Sequence, residues 1–182
     1  PYLNRFHKEF PNIHIKVINQ TSIECARFLE NGQADLIVVN YPNSRLTNLV
    51  HRKPLRTFQD VFVASRRFFD LENVSLSLKD LQNYPILMLD RKSTTSEYLH
   101  QLFQQHQLDL VPEIELSSND LLLDLASIGL GIAFVPDFFL DGKSQDLFRL
   151  NIREELPGRQ LVLAYQEQIP LPQAAAEFIR YF

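Results

Sequence analysis

Cysteine, glycine, long apolar runs and excess positive charge are all scarce in this sequence, and each shortage removes a class of explanation. Cys25 is the only cysteine, so no disulfide can close within the chain and no multi-cysteine zinc or iron–sulfur site can form. A reducing, cytoplasmic setting is the natural expectation. Five glycines in 182 residues fall below the usual share of roughly 7%, which leaves little material for phosphate-cradling loops. A Walker loop, a dinucleotide fingerprint and a nucleophile elbow are all missing. No apolar stretch approaches about eighteen residues, and no basic-then-apolar leader stands at Pro1, so neither a membrane span nor a signal peptide is expected. Lysine and arginine total 18 against 22 acids, a net charge of −4. That is the wrong sign for holding nucleic acid by general phosphate neutralisation.

What remains is ordinary for a globular chain: 45% hydrophobic and 22% charged residues, with a length at which roughly 70% of the unfolded surface is buried on folding. Leu3, Phe6 and Phe10 recur at helical spacing behind Pro1 until Pro11 stops the helix. Ile13, Ile15 and Val17 alternate as in a strand over about 13–19. Thr21-Ser22-Ile23-Glu24 reads as a capping box opening a helix that ends at Gly32. The unbroken run Leu36-Ile37-Val38-Val39 reads as a strand buried on both faces, the mark of a parallel sheet. Residues 49–55 and 60–65 read as paired strands, and the stretch from Arg45 to Arg67 is basic, as a solvated strand face would be.

A second copy of the theme follows. Ile86 to Leu89 is a short buried strand, and Thr94-Thr95-Ser96-Glu97 is a second capping box, opening a helix through His106. Strand 111–116, a helix from Asn119 stopped by Gly129, and strand 132–135 come next. Strands at about 146–152 and 160–165, turned by Pro157-Gly158, and a helix over 172–181 complete the chain. Helices alternating with buried strands predict α/β architecture in two small lobes.

These segments together resemble the effector-binding domain of LysR-type transcriptional regulators. The resemblance rests on Leu3, Phe6 and Pro11; on Leu29, Gly32, Asp35 and Leu36; on Leu78, Asp80, Leu81, Tyr84, Pro85 and Ile86; on the run from Gly129 to Pro136; and on Ala175 to Ile179. Each is small and apolar, and the order and spacing make the match. It implies the architecture of type 2 periplasmic binding proteins: two Rossmann-like lobes with a ligand cleft between them. Lobe I would take 1–65 and 167–182 and lobe II 66–166, joined by crossover strands at about 60–65 and 160–165. The family places a strand before its opening helix and a DNA-binding helix-turn-helix before that. Neither is in this chain, so the first strand of lobe I is missing from it.

In open α/β lobes, ligands bind beyond the carboxyl ends of parallel strands, where helix N-termini offer unpaired N–H groups and partial positive charge. Both capping boxes fall at such positions. Ser93, Thr94 and Thr95 bring hydroxyls to the second of them. Arg91 and Lys92 would supply its only fixed positive charge, since residues 93–142 contain no lysine or arginine. A plain helix cap, worth roughly 1 kcal/mol, explains 91–96 about as well from the residues alone; the resemblance tips the balance towards an effector site. Thr21 and Ser22 carry the same two readings, weighted to a cap because no cation lies beside them. Asn40 and Tyr41 end a strand and would line the cleft or make a turn. Asn119 reads as a cap with some cleft exposure, and Pro136 as a turn residue that would wall the pocket. The expected ligand is a small anion, most simply a carboxylate.

Catalysis finds little support: Cys25 lies mid-helix, the five histidines are scattered, and Asp120 and Asp124 share a helix face that reads as a solvated one. The expectation is a small-molecule sensor without cofactor or metal. It pairs as a homodimer or higher oligomer through the strand and helix at 13–31, as the resemblance implies, and meets DNA only through the absent helix-turn-helix. The alternative is a free-standing solute-binding protein of the same fold, and a hydrolase or transferase on that scaffold is the third reading.

Overall fold

The computed structural model describes residues 2–48, 50–142 and 145–182, so Pro1 and Leu49, expected at the start of a helix and of a strand, lie outside the described residues. In chain order the helices are α1 (Tyr2–Glu9), α2 (Ser22–Glu30), α3 (Leu78–Leu81), α4 (Thr94–Gln105), α5 (Asn119–Ser127) and α6 (Gln173–Ile179). The strands are β1 (Ile37–Tyr41), β2 (Val50–Phe58), β3 (Asp60–Ser65), β4 (Ser75–Leu76), β5 (Ile86–Leu89), β6 (Ile114–Leu116), β7 (Ile132–Pro136), β8 (Leu147–Arg149), β9 (Asn151–Ile152) and β10 (Arg159–Gln166). The chain divides into two compact units, Pro1–Arg56 with Gln160–Phe182, and Thr57–Arg159. The divisions fall at 56/57 and 159/160, where 65/66 and 166/167 were expected from the sequence.

The first unit is built on a sheet of order β1-β10-β2. β1 runs antiparallel to β10, with Ile37 opposite Ala164 and Tyr41 opposite Gln160. Ile37, Val39, Val162 and Ala164 pack against Ala26 and Leu29 of α2. Thr21 caps α2 by accepting the Glu24 N–H at 3.3 Å, and Gly32 ends it at φ +67°, a conformation that costs a residue with a Cβ roughly 1 kcal/mol or more. Two expectations change here. β1 is antiparallel and one-sided, its Val38 being 44% exposed, so a run of four apolar residues did not mean burial on both faces. The alternating segment 13–19 is not a strand: it forms no ladder, and Val17 is 68% exposed. Strand structure needs a hydrogen-bonding neighbour, which alternation in sequence cannot supply. Residues 13–18 and 33–38 instead flank an apolar groove of about 700 Å³, also lined by Leu3, Phe28 and Phe178. Phe6 is the buried anchor of α1, its ring 5.1 Å from that of Phe178 and 5.5 Å from that of Tyr181.

The second unit is a mixed five-stranded sheet of order β6-β5-β7-β3-β8, parallel through β6, β5 and β7 and antiparallel where β3 meets β7 and β8. All six residues of β3 are buried. Its alternation sends Phe62 into one core layer with Leu78, Leu99, Phe103 and Phe134, and Val61 and Val63 into the other with Leu87, Leu122 and Val135. Helices therefore cover both faces of this sheet, as continuous apolar strands require. The Gly-x-Gly between α5 and β7 has two separate causes. Gly129 turns at φ +85° beneath the Phe68 ring, which a Cβ would meet at 2.4 Å, while a Cβ on Gly131 would meet the backbone oxygen of Pro85 at 2.4 Å.

Two expected hairpins do not exist. β2 and β3, separated only by Gln59, belong to different sheets. β8 pairs with β3, β9 with β4, and β10 with β1 and β2, so Pro157-Gly158 does not join paired strands. The expected crossover strand at 60–65 lies wholly in the second unit.

Candidate functional site

The polar centre of the second unit forms at the start of α4. Ser93 has extended backbone, φ −116° and ψ 146°, and its hydroxyl accepts the Ser96 N–H at 3.0 Å. The cap is thus one residue earlier than the box read at Thr94, and this releases the Thr94 and Thr95 hydroxyls. Both turn to Arg159 at the head of β10. One guanidinium nitrogen of Arg159 donates to Thr94 Oγ1 at 2.9 Å, and the other donates to Thr95 Oγ1 at 3.3 Å and to Asp60 Oδ2 at 2.5 Å. The ion pair is enclosed, with side-chain exposures of 3% for Arg159 and 0% for Asp60. The guanidinium lies 5.5 Å from the ring centroids of Phe58 and of Tyr98, an arrangement in which the ring faces favour the cation.

Each shift in this cluster has a physical cause. Burial pushes the Asp60 carboxyl up from its ordinary value, the charge and hydrogen bond of Arg159 pull it down, and Asp137 pushes it up further. Burial, with Asp60 adding to it, pushes the Tyr98 hydroxyl up to about 12. Asp60 Oδ1, Ser96 Oγ and the Tyr98 hydroxyl are buried without a hydrogen-bond partner. Charge-assisted bonds to Arg159 occupy lone pairs on Thr94 and Thr95, which leaves their O–H protons for other acceptors. The first turn of α4 therefore holds hydroxyl protons to donate and the partial positive charge of a helix start, with the Arg159–Asp60 ion pair behind it. Ser93 and Thr94 are 3% exposed and Thr95 1%, so the turn is closed over.

Arg91 and Lys92, expected to supply the charge, are exposed; the cation behind the turn is Arg159, far away in sequence. Asn119 is not a cap. Ser118 caps α5 by accepting the Leu121 N–H at 3.3 Å, and the buried Asn119 Oδ1 has no partner. Pro136 is buried at the end of β7, directly opposite Asp60 in the ladder. In the first unit α2 and β1 bring Thr21 and Ser22 to Asn40 and Tyr41, and the Thr21 and Ser22 hydroxyls are already engaged. The Asn40 N–H donates to Ser22 Oγ at 3.0 Å, and the Asn43 amide donates to the Ser22 carbonyl at 3.0 Å. The cation missed beside them is Arg52, 4.8 Å from the Tyr41 ring centroid.

Among the described residues, no three His, Cys, Asp or Glu side chains gather to hold a metal. Cys25 is half-buried, its thiol donating to the Gln20 carbonyl at 3.7 Å, and burial pushes that thiol up. This is the reverse of an activated nucleophile. No helix among the described residues is long and apolar enough to cross a membrane.

A mixed sheet covered on both faces, with a hydroxyl-bearing helix start packed on a buried arginine, defines an α/β domain with a polar centre. Residues 1–182 match the LysR substrate binding domain model, and the chain belongs to that family. Its fold is that of LysR effector-binding domains, of the type 2 periplasmic-binding-protein kind. The chain is 27% identical to the HTH-type transcriptional activator CmpR of Synechocystis sp. PCC 6803 over 98% of this chain and 59% of CmpR. Among solved structures, the CcmR regulatory domain of Synechocystis PCC6803 in complex with 2-PG superposes with a TM-score of 0.88 at 22% identity, covering 99% of this chain and 86% of that one. The C-terminal domain of a probable LysR family regulator from Rhodococcus sp. RHA1 gives a TM-score of 0.80 at 20% identity, covering 99% of this chain and 89% of that domain. The chain thus spans somewhat over half the length of CmpR.

Proposed function

We propose that this effector-binding domain recognises a small anionic metabolite at the first turn of α4, and that it serves as the sensing part of a longer transcriptional regulator whose DNA reader lies elsewhere. The observation that carries the reading is the pair of Thr94 and Thr95 hydroxyls, which accept from the buried Arg159 and keep their own protons to donate. Arg159 adds to this turn what a simple cap lacks, a formal positive charge in a low-dielectric setting. The CcmR domain solved with 2-PG supports a small-molecule role for the fold. The work is a population shift and no bond is made or broken: a ligand that prefers one conformer displaces the equilibrium by its difference in affinity. Association into homodimers through 13–31 belongs to the same proposal, supported by the exposed apolar Ile15, Val17 and Ile18.

A thermal-shift screen of small acids, carboxylates and phosphate-bearing compounds together with 2-PG, tests the reading. A saturable rise in melting temperature with an acid, and none with its neutral amide or ester, is the expected result. A response confined to neutral compounds overturns it.

A further inference from the structure

Resting on that reading of the α4 turn, we infer that Asp60 makes the site selective for an oxyanion that carries a hydroxyl of its own, either a hydroxycarboxylate or a protonated phosphate. Thr94 and Thr95 accept from Arg159 and keep their protons to donate, and the unpartnered Ser96 and Tyr98 hydroxyls add two more donors. Against these stand two strong unspent acceptors, Asp60 Oδ1 and Asp137 Oδ1, both buried without a partner, and Asp60 is the one fully buried beside Arg159. Its sister oxygen holds Arg159 at 2.5 Å, which fixes the carboxylate in place.

The charges sharpen the point. Arg159 is the cation of the cluster, and Asp60 already neutralises it at contact distance, while Asp137 lies near enough to act on Asp60. An anion with lone pairs alone satisfies the donors of the turn but sets negative charge against the unpartnered carboxylate oxygen of a buried residue. An anion with an O–H satisfies the same donors and gives that proton to Asp60 Oδ1. A hydrogen bond to a charged group in such a setting separates two otherwise similar ligands by about tenfold to a hundredfold. A purely structural ion pair accounts for Asp60 Oδ2 and leaves Oδ1 and the donor excess of the turn unexplained.

Four probes decide it by isothermal titration calorimetry at neutral pH: inorganic phosphate against sulfate, and malate against succinate. Within each pair the overall shape is close and only the first member carries a hydroxyl. The wild-type protein is expected to prefer phosphate or malate over its partner by about tenfold or more, and the pair that shows the preference identifies the class. Asp60→Asn is expected to bring the disfavoured partner to within about threefold; the wild-type comparison stands without the variant should it fold poorly. Equal affinity within both pairs overturns the role of Asp60 and leaves the anion site standing. Failure of all four probes and of every acid in the thermal-shift screen overturns the anion site and this inference together.

Discussion

Arg159→Met puts the buried cluster to its hardest test, because it removes the cation and keeps most of the side-chain volume. The variant leaves Asp60, 0% exposed, as an uncompensated buried charge, and breaking one side of such a pair costs about 3–5 kcal/mol. For a chain of this size each kcal/mol lowers the melting temperature by about 2–4 °C, so the expected fall is about 6–20 °C. The sign of the pH dependence follows from Asp60, whose carboxyl is raised above its ordinary 3.8 by burial while Arg159 pulls it down. Without Arg159 it rises further. A raised carboxyl contributes stability that is present below the unfolded value and lost as the pH climbs through the folded one. The gap between wild type and Arg159→Met should therefore be widest near pH 7 and narrow on acidification towards pH 4.5. Asp60→Leu in the same background should recover half the loss or more, since apolar replacement of a buried pair is often neutral. Circular-dichroism melts of the two variants and the wild type at both pH values measure all of this. A loss below about 1 kcal/mol that does not change with pH would refute the enclosed, coupled pair.

The two glycines before β7 should respond differently to alanine. Gly131→Ala drives a Cβ into the immobile Pro85 backbone oxygen at 2.4 Å and should cost about 1–3 kcal/mol by overpacking. Gly129→Ala meets only the Phe68 ring, which is 57% exposed and free to swing, so its cost should approach the roughly 1–2 kcal/mol of the left-handed conformation; urea melts compare them directly. At α5, Ser118→Ala should lose about 1 kcal/mol as a true cap, and Asn119→Ala should lose clearly less.

Much of this was legible in the sequence, for reasons that can be named. The second unit's buried strands and the helices α2, α4 and α5 follow from local signals, namely apolar runs, hydroxyl caps and glycine stops, and those signals place the hydroxyls of Ser93, Thr94 and Thr95 at one helix start. Pairing is where reading failed. Segment 13–19 has the alternation of a strand and no neighbour, and the two hairpins were inferred from adjacency when the chain was passing between sheets. Arg159 was missed because its partners stand 64, 65 and 99 residues away, beyond any motif. A signal was nonetheless present: Asp60 and Arg159 each open a largely buried strand with a charge, and opposite charges at the heads of two such strands are best explained by their meeting.

The central claim is that the first turn of α4 holds an anion through hydroxyls aimed by Arg159, and Thr95→Val tests it most directly, because the change keeps the shape and removes the oxygen. The strongest acid from the thermal-shift screen is titrated calorimetrically into wild type and variant, with melts run in parallel. The account predicts about tenfold weaker binding with stability altered by about 1 kcal/mol or less. Unchanged affinity, accompanied by a large fall in melting temperature, would show these residues to be helix caps and contradict it.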